Sequence, residues 1–212
     1  MMKNLVRLRA FLAVVCLLAG GVAAQAQGAD KPAEATPPKT VANAPDLDFQ
    51  VYLLTGTETA VEGGKIPATL EPTVKQLKAS LPFTHFRLSD TMLQRTRGFR
   101  GRIELKWALR ETATPTFFEL SGAPIFYETD DAGREFINVE TFRFGGRVPV
   151  VVGSNAHAPN APAAPVVNYE PVGLTTSFRV REGEPSVIGT VSNGKEGEIG
   201  VVVVLVRKSP AK

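Results

Sequence analysis

Ile199-Gly200-Val201-Val202-Val203-Val204-Leu205-Val206 is apolar without interruption from Val201 onward. β-branched side chains lose rotamer freedom in a helix and fit a pleated strand. A run with no polar alternation describes a strand covered on both faces. A glycine-rich turn, Ser192 to Glu198, precedes it, and Ser186 to Val191 forms the strand before that turn. Further back, Ile103, Leu105, Trp107 and Leu109 alternate with Arg102, Glu104, Lys106, Ala108 and Arg110, the period of a strand with one wet face.

Between these landmarks the pattern stays β. Phe117 to Leu120 and Ile125 to Thr129 are short strands, and the Asp130-Asp131-Ala132-Gly133 turn leads to a strand from about Glu135 to Phe144. Its apolar phase changes between Ile137/Val139 and Phe142/Phe144, which predicts a bulge there. Arg147 to Val152 is largely apolar, Ser154 to Pro165 is a Ser/Asn/Ala/His/Pro loop, and strands resume at Val166 to Tyr169 and Leu174 to Arg181.

Residues 47–97 read differently. Phe49, Val51, Leu53 and Leu54 form a strand; Leu70, Val74, Leu77 and Leu81 share one helical face; Phe86 and Leu88 alternate in a second strand. Thr69 is the expected N-cap, Glu71 and Pro72 suit the first turn, and Pro82 stops the helix. The expected fold class is therefore α+β, mostly antiparallel β. A small strand-helix-strand unit (47–97) precedes a β-rich domain (98–207) and a short tail (208–212).

The N-terminus reads as an address. Lys3, Arg7 and Arg9 precede an apolar run from Ala10 to Ala23, and Ala24-Gln25-Ala26 offers small residues for cleavage, so 1–26 is expected to be a signal peptide. The run is shorter than the roughly 20 residues of a comfortable membrane helix, which weighs against an uncleaved anchor. Residues 27–46, rich in Ala, Pro, Lys and Thr, read as a flexible linker. The expected location is the periplasm or the outer membrane.

Removing the signal changes the charge argument. The whole chain carries 24 basic and 21 acidic residues; the signal holds three bases and no acid, and 24 − 3 leaves 21 against 21. Basicity then gives no reason to expect a nucleic-acid partner. The single cysteine, Cys16, leaves with the signal, and with it any disulfide, thiol catalysis or cysteine metal site.

Catalytic candidates are thin. His85 falls on a strand's solvent face, His157 in the Pro/Ala loop, and Gly153-Ser154-Asn155 lacks the strand-elbow-helix setting of a serine nucleophile. No histidines pair at ligand spacing, and no phosphate-cradling glycine loop appears, so neither metal nor cofactor is expected. Glu182 and Glu184 flank a glycine turn, where small polar residues are ordinary. The one charge cluster is Arg87, Arg95, Arg97, Arg100, Arg102, Lys106 and Arg110, opposed locally by Asp90 and Glu104. It is either a surface for an anionic lipid or acidic protein, or a solvated strand face whose arginines pair with neighbouring carboxylates.

One stretch carries a resemblance. Gly145-Gly146-Arg147-Val148-Pro149-Val150-Val151-Val152-Gly153-Ser154, a polar loop, then Val167-Asn168-Tyr169-Glu170-Pro171-Val172-Gly173-Leu174 is similar to the core of secretins, the outer-membrane multimers of secretion and type IV pilus systems. Phe178 to Thr190, with Gly183 and Gly189, resembles the second half of that pattern, and Val201 to Val206 its closing strand. The matching positions are Pro149, Gly153, Tyr169, Val172, Gly173, Gly183 and Gly189. A secretin carries more N-terminal modules and a longer pore domain, so the resemblance implies a secretin-like β module rather than a pore.

Two functions follow as expectations. One is a non-enzymatic envelope component of a secretion- or pilus-type system that self-associates or docks on an envelope protein. The other is a soluble periplasmic binding or scaffold domain that uses the arginine surface.

Overall fold

The computed structural model describes residues 39–40, 44–109, 114–155, 164–192 and 194–210. The expected signal peptide and most of the linker, together with Arg110 and His157, lie outside the described residues.

Two antiparallel sheets face each other. The smaller has the order β3(His85–Arg97), β2(Asp46–Thr57), β9(Glu198–Lys208), β8(Ser186–Val191). The larger is built on β5(Thr116–Thr129), β6(Glu135–Asn155) and β7(Ala164–Arg181), in that order. Along the other edge of β5 lie β4(Phe99–Leu109) and, beyond it, the two-residue β1(Lys39–Thr40).

This corrects the α+β expectation. The helical periodicity is real: α1(Glu71–Ser80) buries Val74 and Leu77, with Leu70 just before it and Leu81 packed beside them. Leu70 itself takes the N-cap position without a side-chain cap, and Thr69 sits in a 3-10 turn. However, the strands on either side of the helix are direct antiparallel neighbours, with Asp46 opposite Arg97 and Thr57 opposite His85. They do not form a separate α/β unit. The other neighbour of β2 is β9, from the far end of the chain, with Leu47 opposite Lys208. A single short helix on one sheet makes this a β fold. Local periodicity could find the helix, but the pairing partner of β2 lies some 150 residues away in sequence, beyond the reach of any pattern window.

The core explains why β9 carries no polar alternation. Val202, Val204 and Val206 join Leu47, Phe49, Val51 and Leu53 of β2 against Ile103, Leu120, Ile137, Phe142 and Phe144 of the larger sheet. Val201, Val203 and Leu205 point the other way, against Tyr52, Leu54 and the helix. Every residue from Val201 to Val206 is at most 1% exposed. The bulge in β6 falls where the apolar phase changes, between Val139 and Phe142, and it keeps both segments facing inward.

Between the described strands the chain passes from one sheet to the other three times, first from β1 to β2. β7 turns into β8 at Gly183, while β3 runs into β4 across Gly98 alone. That corner is crowded: a Cβ on Gly98 would sit 2.6 Å from the Pro45 carbonyl oxygen, and one on Gly101 2.0 Å from that of Arg97. Gly98 also donates to Pro45 O at 2.9 Å and accepts from Tyr127 N–H. Arg100 takes the left-handed turn conformation between these glycines, at φ 50°.

Candidate functional site

The arginines singled out in the sequence do not converge. Arg95 stands opposite Asp48 on the face of the smaller sheet turned away from the sandwich, since the flanking Leu47 and Phe49 point into the core. Its Nε and Nη2 donate to the two Asp48 carboxylate oxygens at 2.7 and 3.2 Å. That bond holds the Asp48 carboxyl below the usual carboxylate range, against a smaller opposing effect of burial. Arg87 follows the bulge of β3, opposite Thr55, with its side chain against Gly63. Arg100 lies at the corner, its guanidinium over the Phe99 ring, and Arg97 is exposed just before it. Arg102 belongs to the larger sheet and donates to Glu104 at 2.8 Å. The cluster is thus spread over two sheets, and Arg95 and Arg102 have carboxylate partners.

The resemblance residues do gather. Pro149 and Tyr169 are register partners, as are Gly145 with Gly173, Gly146 with Val172, and Gly153 with Val166. Gly183 makes the β7–β8 turn at φ +78°, and Gly189 lies in β8 against Leu174. The Tyr169 hydroxyl donates to Pro115 O at 3.2 Å, and its ring packs against Phe117.

The sequence reading missed how far this ladder extends. It is one continuous hairpin, with Phe136 opposite Arg181 at its base and Asn155 opposite Ala164 near its tip. β5 stops at Thr116, so β6 from Val148 onward has β7 as its only strand partner among the described residues. The proline pattern carries the signal. Continuing the β5–β6 register would set Pro115 against Pro149, and two prolines leave that rung without donors.

The prolines also fix which way the hairpin's backbone points. At the base, Glu182 N–H donates to Glu135 O, so even-numbered residues of β7 address β6 and odd-numbered residues address the open side. Pro165 and Pro171 are odd-numbered, so their missing donors face outward. Pro149 pairs with odd-numbered Tyr169 and likewise faces away from β7. Along the projecting part of the hairpin, both edges are therefore interrupted by proline. From Gly173 to Arg181 the outer edge of β7 has no proline and no strand partner among the described residues.

The opposite edge of the larger sheet is handled differently. Thr96 Oγ1 accepts from Arg102 N–H at 3.0 Å and donates to Arg102 O at 2.9 Å, and Gln94 Oε1 accepts from Glu104 N–H at 2.9 Å. Side chains of β3 thus occupy backbone groups of β4 at Arg102 and Glu104 that another strand would need. β7 is the edge at the other side of this sheet.

On the outer face of the same sheet, a shallow depression of about 460 Å³ is lined by Arg102, Glu104, Lys106, Glu119 and Arg143, over the Gly145/Gly173 pair. A second, of about 760 Å³, continues past Trp107, Phe117, Arg147 and Pro171. Among the described residues no three His, Cys, Asp or Glu side chains converge to hold a metal, and no helix is long and apolar enough to cross a membrane. His85 is exposed, its Nδ1 2.9 Å from the Thr84 hydroxyl, and Ser154 is exposed near the hairpin tip.

No protein-family model and no curated protein sequence matches the chain. Among solved structures it is similar to the secretin-domain β-barrel of InvG from the Salmonella SPI-1 injectisome NC-base, at 9% identity and a TM-score of 0.28. The match covers 80% of this chain and spans 64% of the length of that one.

Proposed function

We propose that this chain is an exported, non-enzymatic component of the cell envelope that works by strand-to-strand contact, either with a second copy or with an envelope protein of a secretion- or pilus-type system. The observation that carries this reading is the contrast between the two edges of the larger sheet. On β4, Thr96 and Gln94 occupy the outward groups of Arg102 and the Glu104 N–H. On β7 the outward N–H groups of Gly173, Thr175, Ser177 and Arg179 have no strand partner among the described residues, although the Ser177 and Arg181 carbonyls accept from the Thr176 hydroxyl and the Glu184 N–H. A strand edge left without a partner is a template for pairing. The export signal read from residues 1–26 and the secretin-like pattern of residues 145–190 support reading such pairing as an envelope contact.

The register supplies the test. Thr175 is odd-numbered, so Thr175→Pro removes one outward donor and leaves the β6–β7 ladder intact. Thr176→Pro removes a donor to β6 and serves as the folding control. Association would be followed by sedimentation velocity and by crosslinking in cells. The expected result is a self-associated or partner-bound wild type whose complex weakens at least tenfold in Thr175→Pro. A wild type that stays monomeric and crosslinks to no envelope protein removes the proposal.

A further inference from the structure

The projecting part of the hairpin carries a different surface. Val148 to Tyr169 contains no Asp, Glu, Lys or Arg, in a chain whose charged residues make up 21%. Arg147 and Glu170 bound this stretch, and both lie at the base of the projection, where Arg147 pairs with Pro171 and Val148 with Glu170. Val151 is 66% exposed and Val152 53%. Val150 and Val166, on the face opposite the Val151/Val167 pair, are partly exposed as well.

These observations narrow the occupant. A strand-pairing partner is disfavoured because Pro149, Pro165 and Pro171 interrupt both edges of the projection. A protein groove would cover one face and leave the valines of the other in water. A medium that surrounds a two-sided apolar ribbon is the interfacial layer of a lipid surface. There the valines reach acyl chains, while edge N–H and C=O groups stay near headgroups and water. Tyr169 and Arg147 stand at the base, the residue types that settle at such an interface.

We infer that residues 149–154 and 165–169 form a lipid-dipping ribbon, with Val148 buried at its root. It enters the outer part of a bilayer leaflet by its valine faces and does not depend on anionic headgroups. This contact is separate from the β7 edge at 173–181, and either can fail without the other.

The test uses the chain from residue 27 onward, which has no cysteine of its own, so that one introduced cysteine carries an environment-sensitive dye. Val151→Cys reports the ribbon, and Lys78→Cys, on the exposed side of α1, reports the body. With phosphatidylcholine vesicles the dye at 151 should blue-shift and be quenched by lipids brominated on the acyl chain, while the dye at 78 should not. Adding Val152→Asp should lower the partition coefficient read at 151 at least tenfold without changing the circular dichroism spectrum. No quenching at 151 would overturn the inference. So would quenching confined to phosphatidylglycerol vesicles and abolished by Arg95→Ala, Arg97→Ala and Arg100→Ala together. A blue shift that grows with protein concentration in the absence of vesicles would assign the ribbon to a second copy and overturn it as well.

Discussion

Val203→Ala and Val204→Ala test the architecture at its centre. The two residues are adjacent in β9 and fully buried, Val203 toward the helix and Val204 toward the opposing sheet. Each substitution deletes two methyl groups, a transfer loss of about 1.6 kcal/mol at ~0.8 kcal/mol per group. Incomplete collapse around the cavity raises the expected cost to about 2–3 kcal/mol each. For a domain of this size that corresponds to a fall in Tm of roughly 5–10 °C. The side chains point to opposite faces and share few partners, so the double variant should come close to the sum. Urea denaturation followed by tryptophan fluorescence measures both, since Trp107 packs on Phe118 and Phe144 in the core. In a strand with one wet face, one of the two substitutions would cost less than about 0.5 kcal/mol. That alternation would refute the three-layer arrangement of larger sheet, smaller sheet and helix.

Gly146→Ala should destabilise by about 1–3 kcal/mol, because the new Cβ would lie 2.6 Å from the Phe118 ring and 2.7 Å from Phe117 O. Gly145→Ala meets nothing nearer than 3.6 Å, so it should shift the urea midpoint far less. Acid should loosen the chain. Hydrogen bonds from Arg95 and Lys208 hold Asp48 and Glu135 below their ordinary values of 3.8 and 4.5, so their stabilisation is complete above those values and is lost as pH falls through the lower folded ones. Asp48→Asn with Glu135→Gln should flatten that part of a Tm-against-pH profile. Lys208 shows the opposite sign: the Glu135 hydrogen bond raises it above 10.5, and its contribution is lost only as pH climbs through that raised value. Finally, Pro149→Thr with Pro171→Thr restores outward donors on both edges of the projection. It should produce concentration-dependent association or turbidity that the parent chain lacks; unchanged light scattering would show that the prolines do not guard those edges.

Much of the sheet content was legible because burial leaves a period. The unbroken valines of β9, the alternation from Arg102 to Leu109 and the phase change in β6 each correspond to a feature of the folded chain. The helical face was legible for the same reason. What no period encodes is which strand lies beside which. Phe49 and Val51 look alike whether the next strand over is β3 alone or β3 and β9 together, and the choice turned an expected α/β unit into part of an antiparallel sheet. The hairpin was broken into pieces because Pro165 closed a stretch that reads as a loop and Pro171 fell between two strands. In the folded chain they are strand residues whose absent donors face away from the ladder. The arginine cluster divides at Gly98, where the chain crosses from β3 to β4, so arginines near in sequence lie in different sheets, and Arg95 and Arg102 pair with carboxylates as the alternative reading of that cluster expected.

The pairing of β2 with β9 also orders events in time. β2 is an interior strand, and its second neighbour is the last strand described, so the smaller sheet cannot be completed until residues 198–208 are available. During synthesis from the N-terminus, Leu47, Phe49 and Val51 emerge early and wait unpartnered on one side for nearly the whole chain. Closing so long a loop is slow relative to forming the β6–β7 hairpin, whose strands are neighbours in sequence. The smaller sheet of a growing chain therefore stays incomplete, with one side of β2 uncovered, until residues 198–208 are available.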